Sequence, residues 1–76
     1  MIDFVNYKPP TGAEWAEVQK KAGFSNQVAA NRLDVSLSTV KRIRNNEKDA
    51  PKALFFMLCI YANVAVVLYD EPEQQA

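Results

Sequence analysis

The sequence predicts a mostly α-helical domain of four short helices, with a short pair of terminal β-strands that either joins its two ends or pairs across a dimer. Three observations predict it. Thr11, Ser25 and Ser36 each stand just before residues whose apolar members recur at helical spacing, as N-caps do. A fourth apolar stretch opens at Pro51, a residue suited to a first helical turn. β-branched and aromatic residues without helical spacing are confined to IDFVNY at the start and VAVVLYD near the end.

Helix 1 is expected over 12–22. Thr11 and Glu14 form a capping-box pair behind Pro9-Pro10, and the apolar residues run through Trp15, Val18 and Ala22 to Gly23, a favourable C-terminal stop. Helix 2 is expected over 26–33, with Val28, Ala29 and Leu33 at helical spacing and the small Ala30 beside them. Asp34 then falls where the chain must turn sharply, and Asp tolerates left-handed backbone geometry better than most residues. Helix 3 is expected over 37–45, with Val40 and Ile43 inside and Asn46 as its stop. Helix 4, over 51–62, is apolar all round and must be covered on both sides. Its residues divide into Leu54, Met57, Leu58 and Tyr61 on one face and Phe56, Cys59 and Ile60 toward the other.

Seventy-six residues make one domain, expected over 1–70, followed by a mobile acidic tail at 71–76. Apolar residues make up 49% of this short chain, so either its core is dense or some apolar surface awaits a partner. The chain has no histidine and a single cysteine, which removes the commonest general base, the commonest metal ligand and any zinc site. No phosphate-cradling glycine loop or nucleophile elbow occurs either. An enzyme, a cofactor and a small-molecule ligand are therefore not expected. Cys59 in its apolar surroundings reads as a small buried hydrophobe, and a lone cysteine fits a reducing, cytoplasmic compartment.

MIDFVNYKPP lacks the basic segment and apolar run of a secretory signal. Residues 53–69 form an apolar run broken clearly only by Asn63, just under the roughly 20 residues a membrane-spanning helix needs. Its composition changes at Asn63, so it reads as a helix followed by a strand, and no membrane partner is expected.

The formal net charge is zero but unevenly distributed. Lys20, Lys21, Arg32, Lys41, Arg42, Arg44 and Lys48 against Asp34 and Glu47 leave residues 20–48 strongly basic, while both flanking segments are acidic. The local field, not the sum, attracts an anionic partner. At about 100° per residue the outer face of helix 3 carries Ser38, Lys41, Arg42 and Asn45, opposite Val40 and Ile43. No acid interrupts this stripe.

Two short helices joined by a tight turn, with small residues where they cross, are the ingredients of a helix-turn-helix unit. Residues 25–46 supply them: Ala29 and Ala30 at the crossing, Asp34-Val35-Ser36 in the turn, and a thin apolar seam on helix 3. SNQVAANRLDVSLSTVKRIRNN resembles the helix-turn-helix core of the phage Cro and repressor family at Ala30, Leu33, Val35, Ser36, Thr39, Val40, Arg42, Ile43 and Asn45. It departs from that family at Asp34 and Asn46, where glycine is usual. Size and layout also resemble small autoregulatory repressors of phages and mobile elements, anti-CRISPR-associated regulators among them.

The resemblance implies double-stranded DNA as partner, contacted by Asn26, Ser36, Leu37, Ser38, Thr39, Lys41, Arg42, Arg44 and Asn45. Leu37, Ser38 and Arg42 match positions that face base edges, where arginine bonds guanine bidentately and leucine meets a thymine methyl. Asn26 matches a phosphate-contacting position, and Lys41, Arg44 and Asn45 suit the backbone. Structural roles compete with three of these. Leu37 can close the core, Arg44 can pair with Glu47 or Asp49, and Asn26 can be plain surface.

One recognition helix reads few base pairs, so a homodimer on a palindromic operator is expected. Helix 4 and the segment that follows it, together 51–69, would join the two copies. Phe56, Cys59, Ile60, Val64, Val66 and Leu68 are the expected interface. The predicted function is a dimeric, sequence-specific repressor. The alternative is a protein-interaction adaptor or an antitoxin that uses the apolar C-terminal half.

Overall fold

A computed structural model describes residues 1–68 of the chain. Its elements run β1 (Ile2–Asp3), α1 (Gly12–Ala22), α2 (Asn26–Leu33), α3 (Leu37–Arg44), α4 (Lys52–Tyr61) and β2 (Val66–Val67). The four helices and the terminal strand pair match the expected fold class. The expected acidic tail at 71–76 and the last residue of the expected 51–69 dimer segment lie outside the described residues.

Local chemistry sets the helix ends. Thr11 and Glu14 form the reciprocal capping box, with Glu14 N–H donating to the Thr11 hydroxyl at 3.1 Å and Thr11 N–H donating to the Glu14 carboxylate at 2.8 Å. Ser25 and Ser36 accept from the N–H groups of Val28 and Thr39, at 3.2 and 3.1 Å. The stops are left-handed residues. Gly23 has φ 77°, and three non-glycines share that region: Asp34 (58°), Asn46 (62°) and Asn63 (59°). Asp and Asn suit it because their short polar side chains satisfy the backbone locally. Helix α3 ends at Arg44, one residue earlier than expected, and Pro51 is the N-cap of α4 rather than its first residue.

β1 and β2 pair in parallel, with Ile2 opposite Val66 and Asp3 opposite Val67. Ile2 N–H donates to the Ala65 carbonyl at 3.0 Å, and Phe4 N–H to Val67 at 2.7 Å. The Asp3 carboxylate then accepts from Val5 N–H at 2.8 Å, which turns the chain out of the strand after two residues. The expected strand at the start of the chain is correspondingly short.

The main core joins α1, α3, α4 and both ends of the described chain. Phe4, Trp15, Ile43, Phe55, Leu58 and Cys59 are among its most buried members, and Leu33 of α2 and Ala50 join them. Rings interlock within it: Trp15 stacks on Phe55 at 5.8 Å, and Phe4 stacks on Tyr7 at 5.4 Å while meeting Phe56 edge-on at 5.5 Å. A second, smaller cluster of Ala29, Ala30 and Val40 seals α2 against α3.

Helix α4 is oriented differently from the expected division of its faces. Phe55, Leu58 and Cys59 point inward, whereas Met57, Ile60 and Tyr61 are exposed. Four of the six expected dimer-interface residues are consequently engaged within the chain. Cys59 is fully buried, Phe56 packs on Phe4, and Val64 and Val66 pack against the main core. The physical reason is that Phe4 meets Phe56, and Ile2, Val64 and Val66 pack against the main core, which takes up part of the surface assigned to a partner. Ile60 and Leu68 are exposed, at 57% and 55%. The apolar run divides at Asn63 into a helix and a strand as expected, and among the described residues no helix is long and apolar enough to cross a membrane.

Candidate functional site

Helix α3 is presented by its neighbours. Val40 and Ile43 anchor it on two different clusters, the first against the alanines of α2 and the second in the aromatic core. At its far end the chain passes close beneath α1, where the Arg44 carbonyl occupies the space a side chain on Gly12 would need. Gly12 N–H donates to the Asn46 side-chain carbonyl at 2.7 Å, so the left-handed residue after α3 also satisfies the first turn of α1.

With the inner face held in this way, Ser38, Lys41 and Arg42 are exposed on the outer one, and Asn45, the C-cap just past the helix, is exposed beyond them. Lys41, Arg42 and Arg44 fall in the last turn, where the negative end of the helix dipole favours cations. Ser36 and Thr39 are occupied more locally. Their hydroxyls bond each other at 2.9 Å while Ser36 caps the helix. Leu37 is half-buried.

Arg44 and Asn26 are brought together, which the sequence did not show. The Arg44 guanidinium (Nη1) donates to Asn26 Oδ1 at 2.8 Å, across α3 and α2, instead of pairing with Glu47 or Asp49. The same oxygen accepts from Gln19 Nε2 at 2.9 Å. Gln19 is 1% exposed and also donates to the Phe24 carbonyl at 3.1 Å, while its own Oε1 accepts from the Trp15 indole at 2.9 Å. Sequence reasoning missed Gln19, because glutamine in an amphipathic helix reads as surface. The spacing of Trp15, Val18, Gln19 and Ala22 is the signal that places it on the inner stripe.

Beside this network lies an open cleft of about 600 Å³ whose walls include Ala16, Glu17, Lys20, Ser25 and Arg44. A second cleft, of about 820 Å³, lies under the N-terminal arm, with Asp3, Lys8, Glu14 and Lys21 among its walls. Glu17 lines it too, so acids and bases are mixed there and it has no strong preference for one sign of charge. Among the described residues, no three His, Cys, Asp or Glu side chains are grouped to hold a metal ion. Tyr7, whose hydroxyl donates to the Ala50 carbonyl at 2.7 Å, has its pKa pushed up to about 12, first by burial and then by Cys59 and Asp49. Burial also pushes the Cys59 thiol up, which disfavours its reactive thiolate.

Comparison with known proteins finds no matching family model, no matching curated protein and no matching solved structure.

Proposed function

We propose that the chain is a sequence-specific DNA-binding regulator that uses residues 25–46 as a helix-turn-helix. It would act as a homodimer on a palindromic operator in the cytoplasm. The single observation that carries this reading is the outer face of α3, where Ser38, Lys41, Arg42 and Asn45 are exposed without an intervening acid, opposite the buried Val40 and Ile43. A helix whose outer face served only solubility would have no need to exclude acids. Arg42 and Ser38 are proposed to read base edges, and Lys41, Asn45 and Arg44 to hold the backbone. The resemblance to phage repressors makes repression of a phage or mobile-element promoter, its own included, the specific form of the proposal.

For the second copy, the surface in play is the exposed side of α4. Met57, Ile60 and Tyr61 recur there at helical spacing, with Leu68 exposed on the segment beyond β2. The same apolar side also supports the alternative reading, an adaptor or antitoxin whose C-terminal half takes a different protein.

Binding to duplex DNA measured against salt tests the reading. The logarithm of affinity should fall with the logarithm of salt concentration by about 0.9 for each phosphate neutralised. Salt-independent binding, or none, would leave the adaptor reading standing instead. A species of 8.6 kDa in sedimentation at micromolar concentration would rule out the homodimer.

A further inference from the structure

The chain of hydrogen bonds from Trp15 to Arg44 has a direction imposed by its two ends. An indole N–H can only donate, so Trp15 fixes the carbonyl end of the Gln19 amide toward itself, at 2.9 Å. Gln19 Nε2 must then face outward, where it donates to Phe24 O and to Asn26 Oδ1. Asn26 in turn must offer its carbonyl inward. A guanidinium also only donates, and Arg44 reaches that same oxygen from the other side. The amide orientations are thus set by donors that cannot reverse, rather than by a choice between equivalent flips.

The consequence appears at the outer end. With Asn26 Oδ1 taken twice, the side chain has only Nδ2 left to offer, and Arg44 keeps its remaining N–H groups. Lys20 and Arg44 both line the adjoining cleft, where Glu17 is the one carboxylate. A buried glutamine is a costly way to fill a core position unless each of its groups is bonded, and here each is. Among the described residues, no buried side-chain polar atom of the chain lacks a partner.

We propose that Gln19, through its buried bond to Trp15, is a positioning residue that holds Asn26 and Arg44 as a donor-only clamp on a nucleic-acid backbone phosphate. This rests on the DNA-binding reading and assigns a role to a residue outside α2 and α3. It also turns Arg44 from a free surface cation into one aimed from two sides, by its backbone beneath Gly12 and its side chain on Asn26.

Two variants test it on the whole chain. Asn26→Asp keeps an oxygen facing Gln19 and Arg44 but replaces the outward donor with an acceptor, so the fold should persist while the clamp is lost. Gln19→Met keeps the length of the side chain and removes the link. Each is expected to lower the slope of log affinity against log salt by about 0.9, one phosphate, and to weaken all duplex sequences alike. The double variant should lose no more than either single one, since both remove the same contact.

A merely structural Gln19 would change the melting temperature and leave the slope alone. Should Gln19→Met fail to fold, Trp15→Phe releases the same link with the ring retained, and the same loss of slope is required of it. Wild-type slopes in folded Asn26→Asp and Gln19→Met, or in Trp15→Phe where it stands in, overturn the clamp alone. Absence of duplex binding by the unaltered chain overturns the DNA-binding reading and the clamp with it. Displacement of duplex by inorganic phosphate at constant ionic strength would make this a free-phosphate site and remove the backbone assignment.

Discussion

The two packed regions of this chain are built from opposite kinds of residue. Around Trp15 the core fills space with rings, Phe4, Phe55 and Phe56 among them, drawn from elements distant in sequence. Between α2 and α3 the seal is Ala29, Ala30 and Val40, with Phe24 and Val35 at its margin. Large interlocking rings hold a fold by volume and contact area, whereas small residues let two backbones approach and fix their relation. The aromatic side therefore contributes most of the buried volume, while the placement of the candidate recognition helix draws on both, through Ile43 in the first and Val40 in the second.

Truncating the aromatic side should have the largest effect. Trp15→Ala should cost about 3–5 kcal/mol and leave Gln19 without its donor. In so small a domain that is enough to unfold much of the population, read as a collapse of the denaturation midpoint. A loss smaller than that from overfilling the α2–α3 seam would reverse the contrast between the regions. Overfilling comes next. Ala30→Val, or a methyl added by Gly12→Ala against the Arg44 backbone, should cost about 1–3 kcal/mol. Both should reduce DNA affinity beyond what the loss of folded protein accounts for, because each displaces α3.

Substitutions on the outer face of α3 should leave the melting curve within about 0.5 kcal/mol of the unaltered protein. Arg42→Ala should lower DNA affinity by about 1–3 kcal/mol and relax preference at one base position, whereas Lys41→Ala should weaken all sequences alike. Identical behaviour of the two would remove the distinction between reading and holding.

The smallest effect concerns Tyr7, at the edge of the aromatic core. Its hydroxyl keeps its proton to about pH 12 when folded, against an ordinary value of 10.0. Between those values the unfolded chain has released a proton that the folded chain retains, so stability is present below pH 10 and declines as pH rises toward 12. Urea midpoints measured across that interval should fall, and Tyr7→Phe should flatten the Tyr7 part of the decline while costing about 1 kcal/mol at neutral pH.

Much of the backbone was legible because its signals are local. Thr11 with Glu14, Ser25, Ser36, Gly23 and Asp34 each act within a few residues, and helices α1 and α2 begin and end where those residues place them. The outer stripe of α3 was legible for a related reason: once Val40 and Ile43 are inside, the 100° step leaves Ser38, Lys41, Arg42 and Asn45 outside.

The faces of α4 were not legible. Apolar residues on every side carry no periodic signal, so the inward turn of Cys59 and Phe55 and the exposure of Met57 and Tyr61 depend on where Phe4 and the strand pair settle. Gln19 is a similar case. Its position on the inner stripe is readable, but its partners come from α1, the segment after it, and α2, and the contact of Asn26 with Arg44 spans eighteen residues.

The sequence by itself determined where helices start, where they stop and which side of α3 is charged, because capping, left-handed stops and helical periodicity are short-range effects. Only the tertiary structure decided which side of α4 is left exposed and how the Arg44 side chain is held by Asn26. Those outcomes depend on contacts between residues far apart in the chain, whose geometry exists only once the core has closed.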